Sequence, residues 1–285
     1  MNFHRGFVDL PHLTISGHST AGIETAVTLK EYSLCIDMGI STRETTKCNH
    51  VLFTHGHPDH VGCLIAHLGK RLLYGLAPAK VLGDPELLSG LKKMVQGAEK
   101  AQGGILPVEW IPISPGEQVP LRPDLHVEAF RGVHTIPTQG YSLISTKKKL
   151  KEEFLGLPGK EIARLRKERG DALFHTIHEN LFTCSGDALP ELIDRVENMR
   201  TAQVLMMECS FLDERKPVAL ARKGGHTHLD ELLTRLPSLQ CSSLILTHFS
   251  QLYGSEEVRE ILADRLPEAW QAKTFPLTRN MRQSK

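Results

Sequence analysis

Apolar residues along this chain recur at two spacings, and these divide it into predicted strands and helices. In "TAVTLKEYSLCIDMG" short apolar runs flank Lys30-Glu31, which predicts two strands joined by a turn. "HVLFTH", "NLFTCSGD", "AQVLMMECS" and "SSLILTHFS" carry unbroken apolar runs, as strands buried on both faces require. "LHVEAFRGVH" alternates apolar and polar positions, within a strand-rich stretch over 108–146 that turns at "SPGE" and "RPD". Helical spacing appears at Val61, Leu64, Ile65 and Leu68 in "DHVGCLIAHLGK". Residues 84–101 open with Asp84 as an N-cap and Pro85 at the first helical position. Further helices are predicted over 159–169, near 190–199 and near 228–236. No linker or short repeat separates the halves. The expectation is one α/β domain over 1–285, with two sheets packed together and helices outside.

Composition changes this picture little. The 285 residues are 40% apolar and 24% charged, which is ordinary for a globular protein with a sizeable core. The N-terminus has no continuous apolar run of signal-peptide kind, and no apolar stretch is long enough to span a membrane. A cytoplasmic protein is expected. Six cysteines at 35, 48, 63, 184, 209 and 241 form no CxxC pair. That argues against a disulfide framework or a cysteine zinc site and for reduced, buried thiols. A net charge of +1 does not by itself point to nucleic acid.

The chemistry concentrates in "THGHPDHVG", at a predicted strand-to-helix junction. His55, His57, Asp59 and His60 fall within six positions. Neutral imidazole and carboxylate suit zinc, manganese or iron. Four such side chains exceed the needs of one open catalytic ion and suit two, with His55 and His57 on one and Asp59 and His60 on the other. The bland alternative is a solvated polar loop. Chance alone would give this pattern in roughly two chains per thousand of this length, so the rest of the chain has to decide. A two-ion site needs further ligands from later strand ends. His134 after "EAFRGV", Asp187 after "LFTCSG" and His248 after "SSLILT" occupy such ends. Glu208 directly follows the apolar "VLMM", where burial of a carboxylate demands a partner.

With these motifs in place, the chain resembles the metallo-β-lactamase superfamily, whose fold is a four-layered αβ/βα sandwich. More narrowly, it is similar to the short-form ribonuclease Z family, endonucleases that remove 3′ trailers from precursor tRNA. The resemblance extends over nearly the whole chain and includes "VHTIPTQGYSL", "LKEEFLGLPGKEI", "FTCSGDAL", "LMMECSFLD", "GGHTHLDEL" and "LILTHFSQLY". It implies one ion on His55, His57 and His134, another on Asp59, His60 and His248, and Asp187 bridging them. It gives catalytic roles to Asp59, Glu208 and His226. His226 takes its role by its place after Gly225, and His228 is the weaker candidate in that loop. An imidazolium at His226, held by Glu208, suits protonation of a leaving 3′-oxygen. Two divalent ions, zinc above manganese or iron, are the implied cofactors.

Trailer removal also needs grip on the RNA backbone. Residues 147–170 hold nine Lys or Arg against four Glu, so positive charge is concentrated there. Lys147, Lys148, Lys149 and Lys151 are the predicted tRNA-binding residues. The plain alternative is a solvated helix with pairs such as Arg164 and Glu168. The long Gly/Pro-rich arm of many bacterial relatives is absent from the sequence. The resemblance also implies a homodimer. "SGHSTAGIETA" is read either as a turn between strands or, through His18, as part of the active-site mouth. Two other functions compete with the nuclease. One is a small-molecule hydrolase of the same superfamily, acting on a phosphodiester, thioester or lactone; the other is a non-catalytic binding protein.

Overall fold

Residues 6–278 are described in a computed structural model; 1–5 and 279–285 of the expected domain lie outside the described residues. Two seven-stranded sheets form, each with its strands in chain order. The first holds β1 (Phe7–Leu10), β2 (Leu13–Thr20), β3 (Glu24–Leu29), β4 (Leu34–Ile36), β5 (His50–Leu52), β6 (Ala79–Gly83) and β7 (Val108–Pro112). The second holds β8 (Gln118–Arg122), β9 (Leu125–Arg131), β10 (Gln139–Leu150), β11 (Phe174–Cys184), β12 (Val204–Glu208), β13 (Ser243–Thr247) and β14 (Thr274–Pro276). In each sheet one side pairs antiparallel and the other parallel; β5, β12 and β13 lead to functional residues from the parallel side, β11 stands at the junction, and β9, before His134, pairs antiparallel.

The unbroken apolar runs follow from double-sided burial. Side chains alternate faces along a strand. On β12, Val204 and Met206 enter the core between the sheets, while Leu205 and Met207 face the outer helices. On β13, Ile245 points inward and Leu244 and Leu246 outward. The first sheet repeats the scheme with Leu34 and Ile36 inward and Cys35 outward. Each fully buried aliphatic side chain contributes about 1.5–3 kcal/mol, so a one-residue slip in register would reverse both faces at large cost.

Outside the first sheet lie α1 (Arg43–Thr46), α2 (Pro58–Val61), α3 (Leu64–Leu73) and α4 (Pro85–Gln102). Asp84 caps α4 as predicted, its carboxylate accepting the Glu86 amide at 2.9 Å. A single helix, α5 (Gly159–Arg169), falls at the predicted position. Against the second sheet lie α6 (Glu191–Arg195), α7 (Glu197–Thr201), α8 (Val218–Lys223), α9 (Leu229–Arg235), α10 (Ser255–Arg265) and α11 (Glu268–Gln271). The layers are helices, sheet, sheet and helices, the four-layered metallo-β-lactamase sandwich.

One difference from the sequence reading bears on function. The strands predicted to stop near 146 continue: β10 reaches Leu150 and pairs with β11 from Phe174 onward. Neither β9 nor β12 extends that far, since their pairing ends at Leu125 opposite Ser145 and begins at Val204 opposite Phe182. Residues 146–150 and 174–178 therefore form a two-stranded ribbon projecting past the sheet, with α5 at its tip. The sequence lacks a long arm; the fold has a short one.

Candidate metal centre

The site lies where the parallel strands end. After β5, Phe53 still pairs with Leu82, and Thr54 is held by the Asp37 carboxylate, which accepts its amide at 2.8 Å. The chain then leaves the sheet, and Pro58 starts α2 with His57 at its N-cap. This places His55, His57, Asp59 and His60 around one point. Gly186 adopts φ +62, with Thr54 Cβ 2.9 Å from where its own Cβ would stand, and so swings Asp187 in from the end of β11. His248, directly after β13, sits at φ +60, a backbone state that His tolerates better than most side chains.

Distances define two groups joined by one carboxylate. His55 Nε2 lies 3.0 Å from His57 Nδ1, and His134 Nε2 lies 3.4 Å from the same atom. His248 Nε2 lies 3.4 Å from both His60 Nε2 and Asp59 Oδ2. Asp187 Oδ2 stands 3.6 and 4.0 Å from His55 and His134, and 3.4 Å from both His60 and His248. The described residues thus offer His55, His57, His134 and Asp187 as one metal-ligand set, and Asp59, His60 and His248 as another.

The outward faces of these side chains fix what the inward faces carry. His60 Nδ1 donates to Asp37 Oδ2 at 2.7 Å, and His134 Nδ1 donates to the Gly225 carbonyl at 2.9 Å. His55 Nδ1 donates at 3.0 Å to the Thr54 hydroxyl, which itself donates to Asp37 at 2.8 Å. His248 Nδ1 donates to the Ser210 hydroxyl at 3.1 Å. With these protons committed outward, four Nε2 atoms present lone pairs to carboxylates that can only accept. Such a convergence of acceptors requires positive charge between them. The spacing fits, since a tetrahedral shell with bonds of about 2.0–2.1 Å has edges of roughly 3.4 Å.

Electrostatics point the same way. Burial, helped by the charge of neighbouring His60, pushes the His55 pKa down to about 2, so this imidazole stays neutral. Burial would raise the Asp59 and Asp187 carboxyls, but the surrounding imidazoles outweigh it and hold both well below the usual carboxylate range. Burial opposes charge on His60, yet Asp187 and Asp37 outweigh it and raise its pKa. A cation at His60 Nε2 meets the same demand for positive charge.

A dyad of buried Glu208 and partly buried His226 adjoins the two groups. His226 Nδ1 donates to Glu208 Oε1 at 2.9 Å, and Glu208 is 2% exposed. Glu208 also accepts from the Ala188 amide and the Ser210 hydroxyl, at 3.0 and 2.8 Å. Burial would depress the His226 pKa, but the charge and hydrogen bond of Glu208 override it and push it up to about 9. Ser210 joins the dyad to His248 by donating to Glu208 while accepting from the His248 ring. Gly225, at φ +76, has His134 Nδ1 only 2.7 Å from where its own Cβ would stand, so the close approach to its carbonyl requires glycine.

All seven predicted ligand residues, together with Glu208 and His226, converge here. His228 does not: it caps α9 by accepting the Asp230 amide at 3.1 Å, and its other nitrogen meets the Asp213 carbonyl. The "SGHSTAGIETA" segment forms the β2–β3 hairpin. It touches the site through the Gly22 amide, which donates to Asp59 at 2.9 Å, while His18 lies 3.8 Å from Glu24. Asp37, Thr54 and Ser210 were missed as supports. Asp37 carried a readable signal, a carboxylate directly after the apolar "LCI" run.

The predicted tRNA-binding lysines lie elsewhere, on the projecting ribbon. Lys147 is eight strand steps from Gln139 at the site end, about 25 Å at 3.3 Å per residue. Lys147 pairs with Glu179 and Lys148 with Asp171, both exposed, and Arg164 pairs with Glu161 and Glu168. Lys149, Lys151, Lys160, Lys167 and Arg169 meet no carboxylate among the described residues. The cysteines are free, and all but Cys63 are buried. No helix among the described residues is long and apolar enough to cross a membrane.

Residues 37–249 match the β-lactamase superfamily domain. Over 98% of its length the chain is 33% identical to the chloroplastic tRNase Z TRZ2 of Arabidopsis thaliana, covering 79% of that protein. It is 29% identical to tRNase Z TRZ1 of the same plant, covering 93% of this chain and 94% of that one. Among solved structures, the short form of human tRNase Z superposes with a TM-score of 0.58 at 17% identity, over 93% of this chain and 95% of that one. The metallo-β-lactamase fold protein YhfI of Bacillus subtilis gives 0.60 at 12% identity, over 91% and 92%. At such low identity the two structures establish a shared fold.

Proposed function

Given that the chain belongs to the β-lactamase superfamily and, within it, to the tRNase Z family, we propose that it removes 3′ trailers from precursor tRNA by metal-dependent phosphodiester hydrolysis. The observation that carries this reading is the convergence of two metal-ligand sets beside a His–Glu dyad of partly buried His226 and buried Glu208. His55, His57 and His134 would hold one divalent ion and Asp59, His60 and His248 the other, with Asp187 in reach of both sets. When bound, the ions activate water near neutral pH and neutralise charge building on the phosphate. Zinc is the ion proposed, since imidazole and carboxylate donors at this spacing suit it.

The chain's own groups supply the rest. Hydrogen bonds to Asp37, Thr54, Gly225 and Ser210 fix the imidazole tautomers and orientations before substrate arrives. His226 carries the proton for the leaving 3′-oxygen. Its Nδ1–H is held by Glu208, which leaves Nε2–H to face the reacting bond, and its raised pKa keeps that proton available at neutral pH. Asp59 would help hold the second ion, and it accepts the Gly22 amide, which ties the hairpin to the site.

The ribbon lies too far from its own centre to touch the scissile bond, yet about 25 Å is a suitable reach for the body of a tRNA. We place Lys147, Lys148, Lys149 and Lys151 on the RNA backbone. The exposed pairs of the first two are worth about 0–1 kcal/mol each and exchange readily for phosphate. A homodimer fits the same geometry, with each ribbon holding RNA engaged at either centre. Free thiols throughout support a reducing compartment, the cytoplasm. The test is incubation with a 3′-extended precursor tRNA beside bis-p-nitrophenyl phosphate. Cleavage at the trailer junction is expected; turnover of the small diester alone would mean a small-molecule hydrolase.

A further inference from the structure

Beside the metal centre, on the α4 side, lies a cavity of about 340 Å³, within the range of small-ligand sites. Its walls are Val61, Leu87, Leu91, Met94, Ile136 and Pro137. The site's own loops build it. Gly56, between His55 and His57, and Thr54 form one edge, and Ile136 follows His134 by two residues, no more than about 7 Å of chain. Met94 is 43% exposed, so the apolar surface is open to solvent. Asp84 and Glu86 are the charged residues lining it. They stand at the start of α4 and satisfy the positive end of that helix themselves.

This combination selects its occupant. Two carboxylates and no lysine or arginine repel a phosphate. They accept N–H groups, and the apolar walls accept a flat ring. Resting on the nuclease reading, we infer that this cavity binds the base of a nucleotide adjoining the scissile phosphate. The base stacks on Pro137, Leu87 and Met94 and turns its exocyclic amino group to Asp84 or Glu86. Bases with such a group, adenine, cytosine and guanine, are favoured over uracil, whose ring N3–H lies between two carbonyl oxygens that a carboxylate repels. Leu87 and Met94 supply the packing surface, Asp84 or Glu86 discriminates between bases, and the metal centre cuts the phosphate this seating presents.

Gly90 provides the test. It lines the cavity between Leu87 and Met94 on the same helical face, and a Cβ there meets no atom within 4 Å. Gly90→Leu fills the cavity at an exposed helix position where leucine suits the helix better than glycine. Thermal midpoint and metal content check that the variant is otherwise intact. The readout is kcat/KM on 3′-extended tRNAs carrying adenine, cytosine, guanine, uracil or no base at each position flanking the cut. In the wild type, removing the base at one flanking position lowers kcat/KM roughly ten-fold, about the worth of one hydrogen bond to a carboxylate. In Gly90→Leu that ratio falls to about one, because the variant gains nothing from the base. A general defect would lower all substrates together and leave the ratio unchanged. A wild type indifferent to both flanking bases, or a Gly90→Leu variant with wild-type discrimination, overturns the inference. A wild type that cuts no precursor at all refutes the nuclease reading instead, and this inference falls with it.

Discussion

Asp37→Asn probes whether the buried scaffold, rather than the ligands alone, sets metal affinity. Asp37 sits at φ +59, which asparagine tolerates, so the change removes an acceptor without adding backbone strain. The Thr54 amide, at 2.8 Å from Oδ1, keeps the new amide oxygen on that side. The amide NH₂ then replaces Oδ2, facing His60 Nδ1 at 2.7 Å and the Thr54 hydroxyl at 2.8 Å. The hydroxyl can rotate and accept. The imidazole cannot adapt so cheaply. Either its Nδ1–H stays buried without an acceptor, at about 1–3 kcal/mol, or its proton moves to Nε2 and blocks the lone pair aimed at the second ion. Both routes weaken the Asp59, His60 and His248 set by roughly 10- to 100-fold, or about 1.4–2.7 kcal/mol. His55, supported only through Thr54, is affected less. Titration with a competing chelator, followed by metal analysis, should show bound metal falling from two ions per chain toward one at chelator levels the wild type withstands. Precursor cleavage should fall in step and recover with added metal. Retention of both ions at wild-type affinity would refute the reasoning, and so would their loss in parallel.

Asp187→Ala should lose metal and activity together, because its Oδ2 lies within 4.0 Å of imidazoles from both sets; metal analysis beside a cleavage assay reads both. His226→Ala should keep both ions and lose about 10²–10⁴ in rate, and unchanged turnover would remove His226 from the mechanism. Because the folded His226 pKa is raised to about 9, its proton is available below that pH, and wild-type turnover should decline as pH rises through about 9. The same shift stabilises the fold fully below about 6.5, with that contribution lost as pH rises through 9. Charge reversal at Lys149 and Lys151, which meet no carboxylate among the described residues, should weaken tRNA binding and flatten its salt dependence. An unaltered salt slope would place the RNA elsewhere.

Legibility in the sequence followed the range of the interactions. The strand ends were readable because double-sided burial writes an unbroken apolar run, and the polar residue closing each run is the one delivered to the site. Glu208 and His248 carry that mark, Asp187 follows its run after Ser185-Gly186, and His134 instead follows the alternating strand "LHVEAFR". Asp37 carries it too, but it read as the end of a strand because no nearby residue hints that it serves His60, 23 positions away. Ser210 was still less visible, since a serine in a loop gains its meaning only from His248, 38 positions on. The ribbon was missed for a different reason. Lys147, Lys148 and Lys149 are exposed and leave no apolar pattern, so pairing with 175–177 could not be read from either segment alone. Composition showed the concentrated charge, and only the register of β10 on β11 places it far from the centre. Between His226 and His228, the resemblance favoured His226 by its place after Gly225; in the fold His226 donates to Glu208 and His228 caps a helix.

The central claim is that this centre hydrolyses the bond between a tRNA and its 3′ trailer, with the 3′-oxygen leaving. The direct measurement is end analysis of the products from a 3′-extended precursor tRNA treated with the metal-loaded protein. The account predicts one cut at the trailer junction, leaving a 3′-hydroxyl on the tRNA and a 5′-phosphate on the trailer. An intact precursor, or a tRNA ending in a 3′-phosphate or 2′,3′-cyclic phosphate, would contradict it.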